Sequence, residues 1–189
     1  MADGAAMRYA AFVLLVGCHG TTAPATSTPD APPGSPGIDA PVTGAEDLDM
    51  MASDFECVLH WPKVGAYRIT NKLGHDAAAV ANNPAGGTFP VGTIVQIVPT
   101  EAMVKRRVGF SSTTNDWEFF SLGVSASGTT INKRGTSDVV NQFNGNCHDC
   151  HIKAMAQFDF ICGTTHGCDP LPLSEATLVN MQNSDPRCP

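Results

Sequence analysis

Apolar positions along the chain change their spacing several times, and each change marks an expected element. Tyr9 to Val16 is a continuous apolar run preceded by one cation, Arg8. It is too short to span a bilayer and has the form of an export signal. Residues 19 to about 46 show no periodicity, and Ala31-Pro32-Pro33-Gly34-Ser35-Pro36-Gly37 is representative of them. Such a stretch buries too little apolar surface to offset its ordering entropy, so it reads as a disordered tether. From Asp47 to His60 the residues Met50, Met51, Phe55, Val58 and Leu59 recur at helical spacing, and Pro62 should stop that helix. Lys63 to Gly74 is ambiguous between strand and loop. His75 to Ala81 predicts a short helix ended by Asn82-Asn83-Pro84.

After Gly86-Gly87 the period becomes two. Thr93 to Val98, Ala102 to Val108, Trp117 to Val124 and Thr129 to Lys133 are apolar, β-branched or aromatic runs separated by turn residues, which predicts an antiparallel sheet. The gaps Gly109 to Asp116 and Ser125 to Gly128 suit hairpins. Asp138 to Phe143 predicts a helix capped by Ser137 or Asp138 and broken at Gly145-Asn146. His151 to Gln157 predicts another, and the loop-rich close holds a last helix from about Ser174 to Gln182. The expected fold class is α+β. An antiparallel sheet packs against short helices in one domain over residues 47 to 189, with about 140 residues being enough for one ordinary core.

Composition and cysteine usage add the compartment. The apolar run ends in Leu15-Val16-Gly17-Cys18. This resembles the bacterial lipobox, in which the cysteine is lipidated and begins the mature protein; the other reading is an ordinary cleaved signal beside a cysteine, and Met7 is an alternative start. Either way the chain is exported. His19 directly after the cysteine leans towards the periplasmic face of the outer membrane, with the lipid on Cys18 as the only membrane attachment. The net charge of -7 and the lack of a basic stripe exclude a nucleic-acid partner and favour small molecules or basic redox partners.

Candidate chemistry centres on Cys147-His148-Asp149-Cys150-His151. C-x-x-C-H is the spacing at which two thiols add to the two vinyl groups of a haem and the next histidine reaches the iron. Competing readings are a redox dithiol, a structural disulfide, or half of a zinc site assisted by His148. Seven cysteines are present. With Cys18 lipidated and Cys147 and Cys150 on haem, Cys57, Cys162, Cys168 and Cys188 are left for two disulfides. Three pairings are open, and the expectation is that Cys162 or Cys168 ties Cys57 to the C-terminal region.

Four blocks carry a resemblance. Phe89-Pro90-Val91-Gly92-Thr93, Ala102-Met103-Val104-Lys105, Asn115-Asp116-Trp117-Glu118-Phe119 and Asn146-Cys147-His148-Asp149-Cys150-His151 resemble, in order, blocks of the cytochrome P-460 and cytochrome c′-beta family. The similarity covers about Phe89 to Ala154. It implies an antiparallel sheet packed on short helices, often in a dimer, and one covalent haem c with His151 as proximal ligand and an open or weakly held distal position. Members bind nitric oxide, and some oxidise hydroxylamine. In the P-460 branch a strand lysine is linked to the porphyrin and a distal carboxylate removes protons; in the other branch phenylalanines cap the iron.

Mapped onto this chain, the resemblance makes Lys105 the crosslink candidate, unless Gln96 occupies that register or Lys105 is simply a solvated strand lysine. Glu118 becomes the candidate distal carboxylate, the alternative being an exposed strand residue. Phe119 and Phe120 point to opposite faces, so at most one caps the haem. With a single haem motif, turnover requires an external electron acceptor such as another periplasmic cytochrome. A plain electron-transfer cytochrome would instead fill the sixth position, with Met155, His166, Met103 and His60 as candidates. His166 is the strongest of these, because Met155 lies one turn from His151 on the same face.

Overall fold

A computed structural model describes residues 48–189. The expected export signal, Cys18 and the expected tether lie outside these residues. Six strands form one antiparallel sheet in chain order: β1 (Lys63–Val64), β2 (Tyr67–Asn71), β3 (Thr93–Gln96), β4 (Glu101–Lys105), β5 (Trp117–Ser125) and β6 (Gly128–Gly135). The helices are α1 (Ala77–Ala81), α2 (Cys147–His151) and α3 (Glu175–Asn183). The fold class is thus α+β. All four expected strand runs are present, and the ambiguous stretch from Lys63 supplies β1 and β2.

Period-two alternation gives the sheet two apolar faces. Ile69, Val95, Met103, Trp117 and Phe119 belong to one cluster, with Phe89 and Ile161 packed on it. Ile94, Ala102, Val104, Phe120 and Leu122 belong to the other, covered by Met50, Phe55 and Trp61 from the N-terminal segment. Cross-strand pairing sets this division, since Met103 lies opposite Phe119 and Val104 opposite Glu118.

Three expected helices differ. Where one helix is expected over Asp47 to His60, the described part, residues 48–60, holds two single 3-10 turns, Ala52–Asp54 and Val58–His60. The segment follows the sheet surface, burying Met50, Phe55 and Val58 while Met51 and Leu59 stay exposed, and Cys57 is held by a disulfide. Asp138 to Phe143 is not helical. The Asn141 side chain accepts from the backbone N–H groups of Phe143 and Gly145, giving the chain a local turn in place of helix bonds. Finally, the helix expected from His151 onward instead spans the motif itself and ends there. The last helix is found where expected, capped by Ser174.

The C-terminal segment ties the sheet together. Gln182 on α3 donates to the carbonyls of Ala66 and Ile97 and accepts from Arg68 at 3.0 Å. Cys57 pairs with Cys188, and Cys162 with Cys168. The four cysteines thus form two disulfides as expected, but neither Cys162 nor Cys168 reaches Cys57; the closing tie comes from Cys188. Among the described residues, no helix is long and apolar enough to cross a membrane.

Candidate functional site

Helix α2 is short, and its sequence is the motif. Asn146 caps it, accepting from the Asp149 N–H at 3.2 Å while its own amide donates to Ser137. The Cys147 N–H donates to the Val139 carbonyl, which fixes the start of the helix on the preceding loop. Positions i, i+3 and i+4 of a helix share one face, so Cys147, Cys150 and His151 project together and His148 and Asp149 do not.

That shared face borders a cavity of about 680 Å³, within the ordinary range for a bound organic group. Cys147, Cys150 and His151 all line it, with sheet residues Val95, Met103 and Phe119, Ile97 just past β3, and the loop from Ile161 to Leu173. Both motif cysteines carry free thiols. Burial, followed by the nearby Glu101 carboxylate, pushes the Cys147 thiol up to about 12; burial also raises Cys150. Redox dithiols usually carry a lowered thiol pKa, whereas burial shifts both of these the other way.

His151 donates from Nδ1 to the Phe160 carbonyl at 2.7 Å, because a carbonyl can only accept. Its lone pair is therefore on Nε2. Burial holds its pKa below the usual histidine value, so the ring is neutral and ready to ligate. The Phe119 ring packs against the imidazole, with centroids 5.3 Å apart.

The other expected site residues are dispersed. Phe119 lines the cavity beside His151. Phe120 faces away, fully buried against Phe55 at 5.0 Å between ring centroids. Glu118 is also on that far face, in an ion-paired cluster with Arg106 and Arg134. It does not reach the cavity, because in β5 it alternates with Phe119. Lys105 shares the cavity-side face with Met103, yet its Nζ is buried on the Asp159 carboxylate at 2.7 Å and on the Asn115 carbonyl. It is neither solvated nor on the cavity wall. The Gln96 amide donates to the carbonyls of Pro99 and Glu101.

Among the sixth-ligand candidates, Met103 and His166 line the cavity. His166 is stacked on Phe158 at 3.7 Å and, like His151, has Nδ1 on a carbonyl, that of Ile161. Met155 and His60 do not line it. The zinc reading finds no gathered donor set at the motif. Among the described residues the one cluster of three such donors is Cys57, Asp185 and Cys188, whose sulfurs are bonded to each other and whose carboxylate is held by Arg187.

Two cavity residues escape the sequence pattern. Glu101 lines the cavity, and its carboxyl is raised by burial, partly offset by the Gln142 N–H it accepts. Its strand begins one residue before the apolar run that predicts it, so the pattern places it in a turn. Tyr67 also lines the cavity, and burial raises its phenol to about 12. It lies in the stretch whose pattern is ambiguous between strand and loop. Comparison with protein-family models, with curated proteins and with solved structures finds no match.

Proposed function

We propose that this protein is a mono-haem c-type cytochrome of the P-460 or c′-beta kind. Cys147 and Cys150 would hold the haem and His151 would ligate its iron, which would bind nitric oxide or a related small nitrogen ligand. The observation that carries this reading is the shared cavity: two free thiols and one imidazole on a single helical face border a space sized for an organic cofactor, and the imidazole has its Nε2 available. The three sequence blocks outside the motif that resemble the family support it as well.

When bound, haem supplies an iron that binds diatomic or hydroxylamine-type ligands and accepts electrons. The chain's own residues decide between binding and turnover. His151 is oriented by the Phe160 carbonyl and kept neutral by burial. Apolar residues of the sheet, together with Ile161, Leu171 and Leu173 on either side of the Cys162–Cys168 loop, restrict water. Glu101, in place of Glu118, is the proton acceptor: a cavity carboxyl with a raised pKa takes the protons that hydroxylamine loses on oxidation. Tyr67, its phenol raised by burial to about 12, keeps its proton in the cavity. The electrons leave to a separate periplasmic cytochrome. In this reading the chain is exported and held by lipid on Cys18, with its haem domain facing the periplasm.

A second reading, a six-coordinate electron-transfer cytochrome, rests on His166, which lines the same cavity with Nε2 similarly available. Oxidised and reduced spectra with a denatured pyridine haemochrome, taken on protein co-expressed with c-type haem maturation machinery, separate the two. Five-coordinate high-spin bands are expected, lost in His151→Ala while both thioethers remain. Sharp low-spin bands that turn high-spin in His166→Ala would establish the electron-transfer reading, and absence of covalent haem would overturn both.

A further inference from the structure

The Phe160 carbonyl that orients His151 sits in an unusual stretch of backbone. Asp159 and Phe160 are consecutive non-glycine residues with φ of 49° and 66°. Left-handed backbone costs about 1–3 kcal/mol per non-glycine residue, and a bulky residue such as phenylalanine seldom adopts it. Two such residues in succession persist only where their surroundings hold them.

The holding groups converge on Asp159. Its carboxylate accepts from Lys105 Nζ at 2.7 and 2.9 Å, from the Phe89 N–H at 2.7 Å, and from the Asn115 side chain. Its carbonyl accepts from Trp117 Nε1 at 2.7 Å. Lys105 and Trp117 are paired across β4 and β5, so both donors come from rigid sheet. The Lys105 and Asp159 side chains are 6% and 2% exposed, which leaves the pair little contact with water. An interior ion pair is weak evidence for stability in itself, since desolvation offsets its attraction. Here it determines a direction: it fixes Asp159, and the next residue's carbonyl then points at His151 Nδ1.

We propose that Lys105 and Asp159 are positioning residues for the proximal histidine, holding the Phe160 carbonyl on His151 Nδ1 and thereby setting the donor strength of Nε2. This rests on the reading of His151 as the iron ligand. It also gives the strand lysine a role that requires no bond to the porphyrin. Outer partners of a ligating histidine fix its tautomer and raise its basicity, so loosening them weakens the ligand.

The test uses the haem-bearing protein and compares Lys105→Gln with Lys105→Arg and with Lys133→Gln, a surface change of equal charge. In Lys105→Gln the iron–histidine stretching band of the ferrous protein is expected to move to lower frequency and the midpoint potential to rise. Lys105→Arg should restore most of both shifts, and Lys133→Gln should show neither. The sign of the potential is informative, because through-space loss of a positive charge alone would lower it. An unshifted stretching band overturns the proposal and leaves the pair a structural contact. Should Lys105→Gln fail to fold, Trp117→Phe removes the donor to the Asp159 carbonyl without stranding a charge; a lowered band supports the proposal and an unchanged one overturns it. A wild-type chain without covalent haem would overturn the site reading and this inference together, before any variant is compared.

Discussion

Glu101 faces the cavity from β4, whereas Glu118 on β5 lies in the ion-paired cluster on the far side of the sheet. Their substitutions should therefore separate function from stability. Glu101→Gln is expected to reduce hydroxylamine oxidation by about a hundredfold while nitric oxide binding persists. In the wild type that oxidation should rise with pH as the raised carboxyl ionises, and the rise should be absent in the variant. Stability runs the other way. A carboxyl whose folded pKa is raised contributes stability that is present below its ordinary pKa and is lost as pH rises through the raised value. Urea titrations across mildly acidic pH should show this slope in the wild type and a flatter one in Glu101→Gln. Glu118→Gln should leave ligand binding intact but lower folding stability, by up to about 3–5 kcal/mol, because Arg106 and Arg134 both lose this buried carboxylate, Arg134 keeping that of Asp49. Residue-type arguments find the thiols and the imidazole, whose spacing is local. They cannot choose between the two glutamates, because that choice depends on which face of a strand lies under α2.

At the level of elements, the loop after α1 supports the segment beyond α2. The Gly87 N–H donates to the Gln157 carbonyl at 2.7 Å, and a Cβ on Gly86 would fall 2.0 Å from that same oxygen. Gly86 also has φ of +78°. Gly86→Ala is thus expected to cost at least about 2 kcal/mol and to displace residues 157 to 160. Thermal unfolding would read the first effect and the haem spectrum the second. Strands β3 to β6 are legible in the sequence because alternation over several residues is a strong local signal. The motif helix lies a few residues from its expected place, since its boundary is set by the Asn146 cap and the end of the Cys147–His151 turn, not by apolar periodicity. Residues 138 to 143 fail as a helix for a similar reason: the Asn141 side chain competes for the backbone N–H groups.

For the whole molecule, the two disulfides differ in reach. Cys57–Cys188 closes 131 residues, and Cys162–Cys168 closes only 6. Loop-closure entropy gives about 5 kcal/mol for the first and about 2 kcal/mol for the second. Denaturant titration of Cys57→Ala/Cys188→Ala should therefore show the larger loss of stability. Cys162→Ala/Cys168→Ala should instead act mainly on the cavity, because that loop forms part of its wall. By itself the sequence determined the strand runs and the local spacing that brings Cys147, Cys150 and His151 onto one helical face. These are properties of neighbours along the chain. Only the tertiary structure decided that Cys57 meets Cys188, that Glu101 and not Glu118 faces the cavity, and that Lys105 is held by Asp159. Those outcomes depend on strand register and on contacts between residues far apart in the chain, such as Lys105 with Asp159, 54 positions away, which no local pattern encodes.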